Sequence, residues 1–104
     1  MPKEPKEDTK EVTLALFKDG KNVTQIAAER KMSTGTIEGH LAYFVARQEV
    51  EATELVPAKR LDEITATIAR LKSIKLNEVR EALGKSYTFG EIKIGIAAYL
   101  AEGN

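Results

Sequence analysis

The chain has 104 residues, of which 42% are hydrophobic and 31% charged, enough for one small domain or two very small units sharing an interface, and too little for a multidomain enzyme. Sixteen Lys and Arg balance sixteen Asp and Glu, so any affinity for nucleic acid must come from local charge placement and not from overall basicity. With no cysteine and one histidine, disulfide frameworks, thiol catalysis and a His–His metal pair are excluded, and no apolar run approaches the roughly 18 residues of a membrane span.

Met1–Asp8 holds two prolines and five charges, a composition that cannot offset its ordering entropy, and is expected to be a disordered linker. From Thr9 onward apolar residues recur at helical spacing with no period-two strand, so the expected fold class is all-α. The first helix is predicted at 9–18, burying Val12, Ala15 and Leu16, and is stopped by Asp19-Gly20-Lys21-Asn22. Thr24 is the expected N-cap of a second helix over 25–31, whose Ile26, Ala27 and Arg30 make a short, half-apolar element. Ser33 caps a third over 34–47, whose inward stripe is Ile37, Leu41 and Phe44 with Val45 at the edge.

Residues 49–56 are expected to hold at most one helical turn. Pro57 suits the first position of a fourth helix reaching about Lys72, with Leu61, Ile64, Ile68 and Leu71 at three-four spacing. A fifth helix over 75–83 ends at Gly84. Thr88 and Glu91 form a capping box, with Tyr87 placed to staple onto Ile92, so a sixth helix runs from 89 to about 101 with Ile92, Ile96 and Leu100 inward. The expected organisation is a linker (1–8), a helix-turn-helix unit (9–50) and a second helical, winged-helix-like unit (51–104) packed on the first. Each unit ends in a short helix, a turn and a longer helix.

The chemistry is concentrated in residues 20–41. A short amphipathic helix, a tight turn and a capped second helix are the parts of a helix-turn-helix, in which the second helix leads into the major groove and its first N–H groups face phosphate. The same parts also occur in any three-helix bundle. Placed by helical angle with Ile37 inward, the outer face of the third helix collects Gly35, Gly39, Ala42, Tyr43 and Ala46, bordered by Thr36, His40 and Arg47. Two glycines within one helix cost about 1 kcal/mol each against alanine, so this smooth face is expected to meet a phosphate backbone, the second unit or another chain.

Segment 20–41 resembles the helix-turn-helix of LuxR-type regulators in its Gly-Lys, Ile-Ala, Ser and Thr-Ile-x-x-His-Leu positions. A closer resemblance, over about 9–100, is to the helix-turn-helix domain at the C-terminus of bacterial RecQ-family ATP-dependent DNA helicases. It rests on Val12-Thr13-Leu14-Ala15-Leu16-Phe17, Thr36-Ile37-Glu38-Gly39-His40-Leu41 and Tyr87-Thr88-Phe89-Gly90-Glu91-Ile92. That resemblance implies a non-catalytic accessory domain tethered to a helicase engine, with DNA and the helicase core as partners, no cofactor, and a cytoplasmic, nucleoid-associated setting. Where LuxR-type proteins carry a basic or amide residue, Glu38 stands here, which implies backbone or shape recognition over base reading.

The expected DNA contacts are Ser33, Thr34 and Thr36 at the helix start, His40, Tyr43 and Arg47 along the helix, and Lys21 and Lys31 as added charge. Binding of this kind should be weak and salt-dependent. In the second unit Lys72, Lys75, Arg80, Lys85 and Lys93 form a further cationic group, interleaved with Glu78, Glu81 and Glu91 and read as solvated charge. Two other function classes fit the same residues: a protein-interaction module docking through the small-residue face of the third helix, and a stand-alone dimeric transcriptional regulator. Catalysis has no constellation to stand on, since the lone histidine has no nucleophile and acid beside it in sequence. Gly84-Lys85-Ser86 imitates the end of a phosphate-binding loop but has Val79 where the upstream glycine belongs. Asn22-Val23-Thr24 matches a glycosylation sequon in a chain without a secretory signal.

Overall fold

The computed structural model describes residues 9–103; the linker expected at 1–8 lies outside them. All regular structure among these residues is helical, so there is no β-wing. The helices are α1 (Thr9–Lys18), α2 (Val23–Arg30), α3 (Thr34–Ala46), α4 (Ala58–Leu71), α5 (Leu76–Leu83) and α6 (Phe89–Glu102), with a single 3-10 turn at Ala52–Glu54.

Local chemistry accounts for most of the boundaries. Ser33 caps α3 by accepting from the Thr36 N–H at 3.1 Å, and Thr88 and Glu91 close a reciprocal capping box at the start of α6. The cap of α2 is Asn22 and not Thr24. Its side chain accepts from Gln25 N–H at 2.8 Å while Gln25 Oε1 accepts from Asn22 N–H at 2.9 Å, a two-way exchange that Thr24, two residues further in and already helical, cannot make. Gly20 turns the chain at φ +104° and Gly84 ends α5 at φ +95°, both in the region open to glycine. The Gly84-Lys85-Ser86 segment thus follows a helix, as its dismissal as a phosphate loop requires.

Packing proceeds in three clusters. Ile26, Ala27, Ile37 and Leu41 join α2 to α3, while Ile64, Ile68, Val79, Tyr87 and Ile92 join α4, α5 and α6. A third cluster belongs to both halves: Ala42, Phe44 and Val45 of α3 meet Val50, Val56, Leu61, Ile94 and Ala97. The most extensive helix–helix contact is accordingly α3 against α6. The two run parallel: Glu38 near the start of α3 lies against Gly90 near the start of α6, and Gln48 just past α3 donates from Nε2 to the Ala101 carbonyl near the end of α6 at 3.0 Å.

Two expected stripes are redrawn by this arrangement. On α6 Ile92 is buried, but Leu100 is 42% exposed, and the remaining inward residues are Gly90, Ile94, Gly95 and Ala97. The reason is that α6 packs on α3, α4 and α5 together, so its buried arc is wide: 90, 94 and 97 share the side toward α3, and 92 and 95 the side toward α4. On α1 the fully buried residue is Thr13, whereas Ala15 is exposed and Val12 and Leu16 are half-buried. A polar residue takes the inner position there because polar partners wait for it on α2 and α3.

Candidate nucleic-acid interface

The α2–α3 turn is built on Lys31, held at φ 58° with its N–H turned back to the carbonyls of Ala27 and Ala28. Met32 N–H returns to the Ala27 carbonyl at 2.9 Å, and Ser33 then opens α3. The small, buried Ala27 lies in the cluster joining the two helices; Ala28 faces solvent.

At the start of α3 the Thr36 N–H is taken by Ser33, whose hydroxyl is also within 2.9 Å of Thr36 Oγ1. Ser33 is thereby committed to the cap. Outward-directed N–H groups at a helix start belong to its first two residues, here Thr34 and Gly35. Lys31, Ser33, Thr34 and Thr36 are all exposed. Lys21 is half-buried and paired with Glu29 at 3.7 Å, which directs its charge along the protein surface.

His40 faces α1. Its Nδ1 lies 2.8 Å from Thr13 Oγ1, and the same oxygen receives Arg30 Nη1 at 2.6 Å. Arg30 can only donate, so the Thr13 oxygen accepts from it while also holding the imidazole at Nδ1. Arg30 also donates to the Thr9 carbonyl at 2.7 Å and the Thr9 hydroxyl at 2.8 Å. Thr13, Arg30 and His40 therefore tie α1, α2 and α3 at one point, and the imidazole sits at the α1 border of the outer face.

Beyond that border α3 leaves a strip of Thr36, Gly39, Tyr43 and Arg47. Tyr43 is 43% exposed and held by an edge-on contact with Phe44, ring centres 5.1 Å apart. Two cations lie over its ring, Lys10 of α1 at 5.0 Å and Arg47 at 5.5 Å. Arg47 also pairs with Glu49 at 2.9 Å. On the opposite border Ala42 is buried and Ala46 half-buried in the cluster shared with α6. The smooth face is thus divided: its alanine side is covered by α6, and its glycine and tyrosine side stays open.

Gly35 and Gly39 have no crowded neighbour. A Cβ on Gly39 would meet only Lys93 Nζ, at 3.9 Å. Lys93, grouped in sequence with the cations of the second half, in fact reaches from α6 over the gap at Gly39. Lys10 and Lys93 are additions that helical angles on α3 alone could not supply, because they come from the helices that flank it.

Glu38 points away from the strip, against Gly90. Burial raises its pKa above the ordinary carboxylate value, the charge of Glu91 pushes the same way, and Lys93 opposes them. Beneath it Arg60 of α4 grips Glu91 through two hydrogen bonds of 3.1 and 2.9 Å and donates to the Ser86 carbonyl at 2.6 Å. Burial alone would raise the Glu91 pKa, but the Arg60 hydrogen bond, the Thr88 N–H and the Arg60 charge together hold it below the ordinary value. Among the described residues no group of three or more histidine and acidic side chains is placed to hold a metal. No helix among them is long and apolar enough to cross a membrane.

A short capped helix, a three-residue turn and a longer capped helix resting on a third define the helix-turn-helix class, whose members in general bind DNA. Comparison with known families agrees: residues 9–96 match the helix-turn-helix domain model, and the chain belongs to that family. No curated protein matches the chain, and neither does any solved structure.

Proposed function

We propose that this domain is a non-catalytic DNA-binding module whose contact face is the open strip of α3. The observation that carries it is the division of the α3 surface: with Ile37, Leu41 and Phe44 in the core and Ala42 under α6, Thr36, Gly39, Tyr43 and Arg47 form a strip that a polyanion can reach. Tyr43 and Arg47 supply side-chain contacts, Thr34 and Thr36 the helix start, and Lys31 charge at the turn. Ser33 and His40 act as positioning residues, one through the cap and the other through Thr13, and Lys21 adds charge at the edge. Glu38, turned to α6, leaves no base-reading side chain at its position, so the module recognises DNA shape and backbone.

Its resemblance to the C-terminal helix-turn-helix of RecQ-family helicases supports an accessory role beside an ATP-driven engine, in the company of the nucleoid. ATP should not be turned over by this chain alone. The interaction-module reading loses support, because the alanine side of the face it needs is already covered by α6.

Chemical-shift mapping with short DNA tests the proposal. Shifts should concentrate on Thr34, Thr36, Tyr43 and Arg47, and affinity should fall about 10-fold or more as salt rises from about 50 to 200 mM, as expected for three or four phosphate contacts. Shifts confined to the face of α4 and α5, or an affinity indifferent to salt, would refute it.

A further inference from the structure

We infer that the contact face is a composite track spanning three helices, with Lys10 of α1 and Lys93 of α6 as its cations beside Arg47, and that its ligand is a single nucleic-acid strand lying along α3. The inference rests on the DNA-binding reading above and names the ligand form that the geometry admits.

A lone helix with its side chains is about 10–12 Å across, which matches the roughly 12 Å major groove of B-form DNA. Here α6 lies parallel to α3 in the most extensive helix–helix contact of the fold, with the Glu38 carboxylate resting against Gly90. Two helices packed about 8–10 Å apart present a ridge of about 20 Å, too broad to enter that groove. On the other side α1 is tied to α3 through Thr13 and His40. A strip flanked in this way is better matched to an unpaired strand, which brings its bases and phosphates to the surface, than to the base edges inside a duplex.

What the surface offers suits such a strand. Lys93 Nζ stands over Gly39, Lys10 Nζ and the Arg47 guanidinium flank the exposed Tyr43 ring, and residues 39–47 cover about 12 Å along the helix at 1.5 Å per residue. An aromatic ring among cations on a linear track is the pattern of stacking platforms for single strands. In a chain of zero formal charge this clustering is a matter of placement. Carboxylates border the track: Glu49, paired with Arg47, Glu11, which lines the same shallow hollow as Tyr43 and Arg47, and Glu38, whose charge acts on Lys93. They keep the affinity modest.

Fluorescence anisotropy with a labelled oligothymidine and a mixed-sequence duplex of equal length decides the matter. The single strand should bind at least about fivefold more tightly. Tyr43→Ala should weaken it about tenfold, in line with the loss of one stacked base. Lys10→Gln and Lys93→Gln should each lower the slope of log affinity against log salt by about 0.7, while Lys72→Gln leaves it unchanged. Lys93 also neighbours Glu38, so thermal unfolding of Lys93→Gln accompanies the measurement, and Lys10→Gln carries the test if that variant is unstable. A preference for duplex, or wild-type binding by both lysine variants, would overturn the composite track and leave the α3 contact standing. Failure of the wild type to bind either oligonucleotide would overturn the DNA-binding reading itself.

Discussion

Glycines in this chain serve opposite purposes, and the difference can be measured. Gly39 lies mid-helix with ordinary backbone geometry and a single distant neighbour, so Gly39→Ala should stabilise the fold by about 0.5–1 kcal/mol through helix propensity alone. Gly95 is the reverse case, since a Cβ there would run into the buried, β-branched Ile64. Gly95→Ala should cost about 1–3 kcal/mol by overpacking. Urea denaturation of the two variants checks both signs, and a destabilising Gly39→Ala would show that α3 is packed more tightly than described. A stability gain available at Gly39 and not taken is what a surface kept smooth for a ligand would produce. Thr13 illustrates the same economy with a polar group: its hydroxyl is fully buried, yet both of its neighbours are hydrogen-bonded to it, so its burial leaves no unmatched polar atom.

Between elements, the junction of α3 and α6 is set by two carboxylates with opposed titrations. Glu38 has a raised pKa, so its charged form burdens the folded state, and that burden is lifted as pH falls through its folded value. Glu91 has a lowered pKa, so its contribution is present above the unfolded carboxylate value and lost as pH falls through the folded one. Glu38→Gln, which mimics the protonated acid, should therefore raise the melting temperature at pH 7, and the gain should shrink toward zero on acidification below the ordinary carboxylate range. Glu91→Gln should lower the melting temperature at pH 7 and flatten the acid limb. Thermal melts over pH 3–8 read both; a Glu38→Gln gain that persists undiminished at low pH would mean that the wild-type carboxylate is not the source. The Arg60 fork on Glu91 and the Arg60 guanidinium, 4.1 Å from the Tyr87 ring centre, explain why α4 is fixed to the start of α6.

At the level of the whole molecule the two halves share apolar core. Ala42, Phe44 and Val45 from the first half pack with Leu61, Ile94 and Ala97 from the second, so separating the halves returns that surface to water. A fragment of residues 9–50 should show no cooperative unfolding transition, while the full chain should show one, coincident by circular dichroism and tyrosine fluorescence. A folded 9–50 fragment would establish the first unit as independent.

Helix positions were readable from the chain because they depend on neighbours three and four residues away. The Ser33 and Thr88 caps, the Gly84 stop and the Ile37, Leu41 and Phe44 stripe are all local patterns, and each stands in the structure where periodicity and capping chemistry put it. The helix-turn-helix class follows from those patterns together with the family match. Local patterns could not say which helix lies beside which. That α6 covers Ala42, that Lys93 and Lys10 reach the α3 strip, and that His40 answers to Thr13 are contacts between residues 27 or more positions apart. Such contacts are selected by how three apolar clusters can be buried at once, a condition met only when the whole chain is folded.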